Sequence, residues 1–308
     1  MIGRKLVRKL DGELILHDVV PFEGSSAVSD LSTPGEAEKL IAARPDLIFH
    51  LAAVVSGEAE ADFEKGYRVN LDGTRHLFEA IRKVASGNKA GYKPRLVFTS
   101  SIAVFGAPFP NAIGDEYLSA PLTSYGTQKA ISELLLSDYS RRGFFDGIGI
   151  RLPTICVRPG KPNKAASGFF SGIIREPLSG QEAVLPVPES VRHWFASPRA
   201  AIGFLLHAAK LDTAKLGARR NLSLPGVCAT VGQQIEALRK VAGDQVTRLI
   251  RREPDPTIAR IVEGWPQNFD ASRALSLGFR ADPSFEEIIR IHVADELQGK
   301  LPPRTGSG

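Results

Sequence analysis

The first half of the chain alternates strand-like apolar runs with stretches of helical periodicity. The predicted strands lie at 13–18, near Ala27, and at 47–52, 95–100 and 147–152. The predicted helices lie at 2–10, 34–43, 63–84 and 125–141. Such alternation is typical of βαβ units, whose parallel strands form one sheet with helices packed against it. The pattern therefore predicts an α/β fold built on a doubly wound parallel sheet.

The pattern changes beyond Pro153, where proline and glycine become frequent. Further helices are predicted at 197–210, 231–242, 257–264 and 285–296, and short strands at 221–224 and 246–251. We therefore expect one unit at 1–153 and a second, smaller one at 154–299. The tail at 300–308 is rich in proline, glycine and serine, and we expect it to be flexible.

The composition argues against several classes of protein. Of the 308 residues, 43% are hydrophobic and 24% are charged, as in ordinary globular proteins. No apolar run reaches the ~18 residues that a membrane-spanning helix needs. The net charge is +5, but the basic residues are dispersed and mixed with acids, which argues against a nucleic-acid partner. A mildly positive protein suits an anionic substrate and a dinucleotide.

Cysteine and histidine usage indicates a reducing compartment and no metal site. Cys156 and Cys228 lie in apolar, strand-like surroundings without a second thiol nearby in the sequence. We therefore expect free thiols and a cytoplasmic protein. The six histidines lack the spacing of metal ligands, so no metal is predicted.

Three side chains suited to proton transfer follow one predicted strand. Ser101 ends an apolar run, and Tyr125 and Lys129 are four residues apart on one face of the next predicted helix. A phenol with a pKa near ~10 is a poor base at neutral pH, but a neighbouring ammonium favours the phenolate. The hydroxyl can hold a substrate oxygen beside the phenol. Alternatively, the tyrosine and lysine share this spacing by chance and the lysine is merely solvated.

The order of these groups resembles the extended short-chain dehydrogenase/reductase family, the NAD-dependent epimerase/dehydratase family. Its members have a strand ending in Ser-Ser-x-x-x-aromatic-Gly and then Pro-x-x-x-Tyr-x-x-x-Lys, which match 100–106 and 121–129 here. The resemblance covers essentially the whole chain. It implies a Rossmann-type dinucleotide-binding domain at 1–153, and a smaller, interleaved substrate lobe at 154–299 with elements that return to the sheet domain. It also implies NAD as the cofactor and Ser101, Tyr125 and Lys129 as catalytic residues.

The resemblance further implies a set of cofactor-binding residues. Asp18, at the end of a predicted strand, would accept hydrogen bonds from the adenosine ribose, which favours NAD over NADP. The other residues implied to bind the cofactor are Gly3, Asp30, Leu31, Ala52, Ala53, Asn70, Thr99, Ser100, Tyr125, Lys129, Pro153 and Ile155. Without a cofactor site, the alanines would be core residues, Asn70 an exposed residue and Asp18 a solvated turn acid.

Gly3 resembles the last glycine of the family's GxxGxxG motif, which normally follows a first strand. The sequence therefore predicts that roughly ten further residues, carrying this strand and the first glycines, precede Met1 in the natural protein. If Met1 is instead the natural start, the binding of the pyrophosphate is in doubt.

Family membership constrains the cofactor chemistry better than it constrains the substrate. Residues 269–279 resemble the sugar-nucleotide epimerases of the family, whereas 155–163 and 191–194 differ from them. We expect a dehydrogenase that oxidises a secondary hydroxyl of a small sugar acid, whose carboxylate needs a cation or several donors. The residues implied to bind this substrate are Ser56, Ser101, Asn163, Ser167, Arg192 and His193. Alternatively, Arg192 is a surface ion-pair residue and His193 a packed core histidine.

Two other functions are compatible with the same pattern. An epimerase or dehydratase of nucleoside-diphosphate sugars would retain NAD tightly and return the hydride to the sugar. A non-catalytic NAD-sensing module commonly lacks the tyrosine or the lysine, and this chain has both. Helix 125–141 carries Leu134, Leu135 and Leu136. By the resemblance to dimeric relatives, this helix is expected to form a homodimer interface. Alternatively, its leucines belong to the core of the chain itself.

Overall fold

The structure is a computed structural model that describes residues 1–87, 91–160 and 166–302. The elements of its first half, in chain order, are α1 (Ile2–Val7), β1 (His17–Asp18), β2 (Ala27–Val28), α2 (Glu36–Ile41), β3 (Leu47–His50), α3 (Ser56–Ala61), α4 (Phe63–Gly66), a π-helical turn (Tyr67–Asp72), α5 (Gly73–Gly87), β4 (Arg95–Ser101), a 3₁₀ turn (Ile102–Val104), α6 (Ser124–Arg141) and β5 (Asp146–Leu152). The predicted alternation of strands and helices is present.

The second half of the chain contains further strands and helices in chain order. They are β6 (Thr154–Ile155), α7 (Gly168–Leu178), β7 (Ala183–Leu185), β8 (Arg192–Ala196), α8 (Pro198–Lys210), a 3₁₀ turn (Thr213–Leu216), β9 (Asn221–Ser223), β10 (Val227–Thr230), α9 (Val231–Ala242), α10 (Asp244–Thr247), β11 (Ile250–Arg252), α11 (Pro256–Glu263), α12 (Ser272–Ser276) and α13 (Phe285–Glu296).

The main sheet is parallel and covered on both faces. Its strand order is β3-β4-β5-β9, and β1 and β2 form a separate parallel pair. Along β4 the side chains alternate, with Leu96 and Phe98 packed against α2, α5 and α6. Val97 points to the other face, where α1 and α8 pack. The predicted α/β fold with a doubly wound parallel sheet is confirmed.

The second half builds a smaller lobe and also returns to the sheet. Helices α7, α9 and α13 pack around a separate apolar core, bordered by the sheet β10-β8-β6 and the pair β11-β7. Helix α8 and strand β9, however, lie on the main sheet, where Asn221 pairs with Gly149. This gives the interleaving that the family resemblance implied. A boundary at residue 153 stays a prediction.

Some predicted elements differ from those observed. The predicted helix at 63–84 is divided by the π-helical turn, and the predicted strand at 13–18 is reduced to its last two residues. The predicted strand at 246–251 begins too early, because its first two residues belong to α10 and the observed strand β11 begins at Ile250. Val246 favours a strand by propensity, but here it is buried in the lobe core as a helical residue. Helix α7 and strands β6, β7, β8 and β10 were not predicted.

Both cysteines are free, as predicted, although Cys228 is only partly buried. Within the described ranges, no helix combines the length and the apolar character needed to cross a bilayer. The same residues contain no cluster of three or more side chains that could hold a metal ion.

Candidate active site

Strand β4 and helix α6 meet at the carboxyl edge of the sheet. Thr123 caps α6 by accepting a hydrogen bond from the Gly126 amide, at 3.0 Å. A Cβ atom at position 126 would lie 2.1 Å from the carbonyl oxygen of Ala103, in the turn that follows β4. Only glycine allows this approach. The first turn of α6, which carries Tyr125, is thereby brought against the end of β4.

The three predicted catalytic residues come together at this point. Ser101 Oγ accepts a hydrogen bond from the Ala103 amide at 3.1 Å, which leaves its own hydrogen free to be donated. The Ser101 hydroxyl also interacts with the phenol of Tyr125. Lys129 is 2% exposed, donates to the carbonyl of Thr99 at 2.9 Å, and lies 5.8 Å from the Tyr125 ring centre.

Burial and nearby charges both act on the pKa values of Tyr125 and Lys129. Burial raises the pKa of Tyr125, while the hydrogen bond from Ser101 and the charge of Arg158 act in the opposite direction. Burial also lowers the pKa of Lys129 to about 8, against the effect of the nearby Glu133 carboxylate. The effect of the Lys129 ammonium on the phenolate stays a prediction, and burial is the largest influence on the pKa of the phenol.

Ser100 does not face the same side as Ser101. Its hydroxyl donates to Glu133 at 2.6 Å, and Glu133 forms a buried ion pair with Arg151 at 2.7 Å. Successive residues of a strand point to opposite faces, so Thr99 and Ser101 share the other side. The prediction that Ser100 lines the cofactor stays a prediction, and its side chain belongs to a polar cluster beneath the site.

The end of β3 offers small, accessible residues. Ala52 and Ala53 are exposed, so a ligand can approach the backbone there. Asn70, in the π-helical turn, is fully buried; its amide accepts from the Val54 nitrogen at 2.9 Å and contacts Gln128 at 2.7 Å. The predicted cofactor contact of Asn70 stays a prediction, and the Asn70 amide fixes the loop after β3.

The residues implied to hold the adenosine end differ in exposure. Asp18 is exposed at the end of β1, so its carboxylate is accessible to a ribose. Asp30 is bound by Ser32 and by Arg68, at 2.5 Å. Burial acts to raise the pKa of Asp30, but these partners outweigh it and lower the pKa. Leu31 is buried in the core against α2 and α5, so its side chain is not free to meet an adenine.

Gly3 lies in the first turn of α1, beside the end of β3. A Cβ atom there would be 3.7 Å from the side chain of Leu51. The glycine, the alanines and the exposed Asp18 fit a dinucleotide, since they offer close backbone approach at one end and a carboxylate for hydroxyl groups at the other.

The two predicted cations for a substrate carboxylate, which stay predictions, differ in their surroundings. Arg192 and His193 are adjacent on β8 and therefore point to opposite faces. His193 is 2% exposed, lies 2.6 Å from the Thr154 hydroxyl and stacks on Phe170. Burial lowers its pKa to about 4, so it is neutral at pH 7. Arg192 is exposed.

The remaining predicted substrate and cofactor residues differ in position and burial. Ser56 is half-buried at the start of α3. Pro153 and Ile155 flank Thr154 at the end of β5 and in β6, where they are buried and half-buried. Ser167 precedes α7 and accepts a hydrogen bond from a guanidinium. Asn163 lies outside the described residues.

That guanidinium belongs to Arg158, which the sequence did not single out. Its Nη2 donates to Ser167 at 2.6 Å and its Nε to the carbonyl of Ile155 at 3.1 Å. One signal was present in the sequence, namely that 155–163 departs from the usual epimerase segment. Because the arginine stands in a loop rich in proline and glycine, no periodicity indicated where its side chain points.

The comparisons with known proteins place the chain in a family. Residues 1–216 match the model of the NAD dependent epimerase/dehydratase family, and the chain belongs to that family. D-Erythronate dehydrogenase of Cupriavidus necator is 49% identical over 93% of this chain and 90% of its own length. D-Erythronate dehydrogenase of Haemophilus influenzae is 45% identical over 85% of this chain and 81% of its own length.

A solved structure shows the same fold. The crystal structure described as the nucleoside-diphosphate-sugar epimerase from Agrobacterium tumefaciens has a TM-score of 0.92 and 66% identity. The alignment covers 98% of this chain and 93% of that one. The family resemblance and the prediction of NAD as the cofactor are confirmed.

Proposed function

We propose that this protein is an NAD-dependent dehydrogenase that oxidises the 2-hydroxyl of D-erythronate to the 2-oxo acid. The observation that carries the proposal is the meeting of Ser101, Tyr125 and Lys129 at the end of β4. The substrate is supported by the two D-erythronate dehydrogenases, at 49% and 45% identity over most of the chain.

Each catalytic residue has a defined task in this reaction. Ser101 donates its hydroxyl hydrogen to the substrate oxygen and holds it beside the phenol. Tyr125 takes the proton of that hydroxyl as the carbon–hydrogen bond breaks. Lys129 has one N–H engaged with Thr99 and further N–H groups free to bind the nicotinamide ribose. NAD, when bound, accepts the hydride.

The cofactor is proposed to extend along the carboxyl edge of the sheet. Its supporting residues are Gly3, Asp18, Ala52, Ala53, Thr99, Pro153 and Ile155, with Asp30 and Asn70 holding the loops around them. We propose 1–153 as the cofactor-binding domain and 154–299 as mainly the substrate lobe. A cytoplasmic homodimer completes the proposal, supported by the free thiols and by Leu134, which is 72% exposed on α6.

A second function has one observation in its favour. The structure with 66% identity is described as a nucleoside-diphosphate-sugar epimerase. Such an enzyme uses the same trio but keeps NAD and returns the hydride to the sugar. Residues 155–163 and 191–194 argue against it, because they replace the segments usual in sugar-nucleotide epimerases.

One assay separates the two functions. Purified protein is mixed with added NAD and D-erythronate, and NADH is followed by its absorbance through many turnovers. We expect continuous NADH formation, and no conversion of a UDP-sugar when its epimers are separated by chromatography. Interconversion of the UDP-sugar epimers without net NADH would establish the epimerase and reject the dehydrogenase.

The tyrosine variant tests the assigned base in the same assay. Tyr125→Phe should lower kcat by at least about 10³-fold, because it removes the group proposed to take the proton. The dissociation constant for NAD should stay nearly unchanged, measured by calorimetry. The matched control is Tyr67→Phe, since the Tyr67 hydroxyl makes no hydrogen bond in the described part of the chain. Undiminished turnover in Tyr125→Phe would refute the assignment.

A further inference from the structure

The segment between β6 and α7 carries a cation without an acidic partner. Within the described ranges, the Arg158 side chain donates to neutral acceptors, the Ile155 carbonyl and the Ser167 hydroxyl. No carboxylate among these residues forms an ion pair with it. Residues 88–90, 161–165 and 303–308 contain no aspartate or glutamate. The chain therefore holds a partly buried positive charge that no acidic side chain neutralises, which is costly unless a ligand supplies the anion.

Several hydrogen bonds fix the position of this arginine. The Arg158 backbone nitrogen donates to Ser171 Oγ at 3.0 Å, and its carbonyl accepts from Arg175 Nη1 at 2.7 Å. Both partners lie on α7. With the side chain also tied to Ile155 and Ser167, the guanidinium is held before any ligand binds, which lowers the entropic cost of binding.

The guanidinium is bonded to the backbone that follows the carboxyl end of β5. Ile155 lies just beyond the end of β5, which is proposed to border the nicotinamide. The Arg158 side chain donates a hydrogen bond to the Ile155 carbonyl. The charge of Arg158 acts on the Tyr125 phenol and helps to lower its pKa against the effect of burial. Neither Arg192 nor His193 offers an equivalent charge, since one is exposed and the other neutral.

We propose that Arg158 binds the carboxylate of the substrate and determines the preference for sugar acids over uncharged sugars. This inference rests on the proposed dehydrogenase function. In a 2-hydroxy acid the carboxylate is attached to the carbon that is oxidised, so its partner must lie close to the group that takes the proton. A guanidinium offers a planar set of N–H donors that matches a carboxylate, and the interaction is strong where water is partly excluded.

The test compares a charged with an uncharged substrate in the intact protein. Arg158→Gln is assayed with D-erythronate and with its neutral amide, D-erythronamide, at saturating NAD. We expect kcat/KM for the acid to fall about 10- to 100-fold, the range for loss of a hydrogen bond to a charged group. The kcat/KM for the amide should change far less, because the neutral amide forms no ion pair with the guanidinium.

Three further variants keep the result interpretable. Arg158→Lys retains the charge without the planar donors. Its kcat/KM for the acid should lie between the values for the wild type and Arg158→Gln. Arg260→Gln, on the exposed side of α11, is the matched control and should keep wild-type kinetics. A wild-type preference for the acid in Arg158→Gln would overturn the inference, and so would loss of that preference in Arg192→Gln instead.

Binding separates a failure of this inference from a failure of the proposed function. Calorimetric titration of D-erythronate into the enzyme with NADH needs no turnover. Weaker binding in Arg158→Gln, with unchanged NADH affinity, supports the inference even if the wild type forms no NADH. Equal binding by the two proteins contradicts it, whatever the outcome of the activity assay.

Discussion

At the scale of single residues, neighbours in the sequence have separate tasks. Ser101 faces Tyr125, whereas Ser100 points to the buried pair of Glu133 and Arg151. The reason is the two-residue repeat of a strand, which places adjacent side chains on opposite sides of the sheet. One strand end thus supplies both the chemistry and the polar cluster beneath it.

Buried histidines make the stability of the protein depend on pH. Burial lowers the pKa of His193 to about 4 and that of His50 to about 3. As the pH falls below about 6.5, the unfolded chain takes up protons that the folded protein excludes. The free energy of unfolding should therefore decrease by about 1.4 kcal/mol per pH unit for each histidine.

Urea unfolding at pH 7 and pH 5 measures this effect. The free energy of unfolding of His193→Gln should fall by about 2 kcal/mol less than that of the wild type between these values, because one of the buried histidines is gone. If His193→Gln and the wild type lost the same free energy, His193 would not be a neutral buried group.

The sequence identified the catalytic residues but not Arg158, whose charge is proposed to select the substrate. Ser101, Tyr125 and Lys129 stand in a fixed order within a known pattern, so their identity could be inferred before the structure. His193 and Arg158 could not be assigned in this way. Whether a histidine is buried and neutral, or an arginine lacks an acid, depends on contacts between segments far apart in the sequence.

At the scale of elements, one glycine sets the distance between α6 and β4. Gly126→Ala would place a methyl group 2.1 Å from the backbone oxygen of Ala103, which cannot turn aside as a side chain would. Helix α6 must then move, at a cost of about 1–3 kcal/mol or more. Because Tyr125 is the preceding residue, activity should fall as well.

Chemical denaturation and the NADH assay together check this prediction. The matched control is Gly203→Ala, a glycine inside α8 with no atom within 4 Å of the added methyl group. Its free energy of unfolding should increase by up to about 1 kcal/mol, since alanine has a higher helix propensity than glycine. A Gly126→Ala protein with wild-type stability and kcat would show that the close approach is not required.

The long, regular elements were predicted from periodicity, and the short ones were not. Helices α8, α9 and α13 match their predicted bounds within a residue. The two-residue strand β6 and the helix α10 are too short for a repeat to show, and their form is set by packing in the lobe. The π-helical turn was also missed, because the hydrophobic pattern of 63–84 does not reveal an extra residue in one turn.

At the scale of the whole molecule, the second half of the chain serves both units. Helix α8 and β9 complete the sheet domain, while the flanking segments build the lobe core. The residues between β5 and α7 connect the two and carry Arg158. Such interleaving means that the lobe cannot be removed without also taking an edge strand and a covering helix from the sheet.

The proposed homodimer interface lies on α6. Of the three leucines on α6 that suggested an interface, Leu136 is fully buried and Leu135 packs against the core of its own chain. Leu134 remains 72% exposed, and exposed leucines on a regular helix are candidates for an interface. We expect a dimer in solution that Leu134→Glu converts to a monomer, because the change would bury unpaired charges at the interface.

Light scattering coupled to size-exclusion chromatography measures this directly. Leu118→Glu is the matched control, since Leu118 is 75% exposed but lies in the loop before α6. It should remain a dimer. A monomeric wild type would reject the homodimer, and a dimeric Leu134→Glu would move the interface away from α6. Because the catalytic Tyr125 and Lys129 lie on the same helix, we also expect the monomeric variant to lose part of its activity through a less rigid α6.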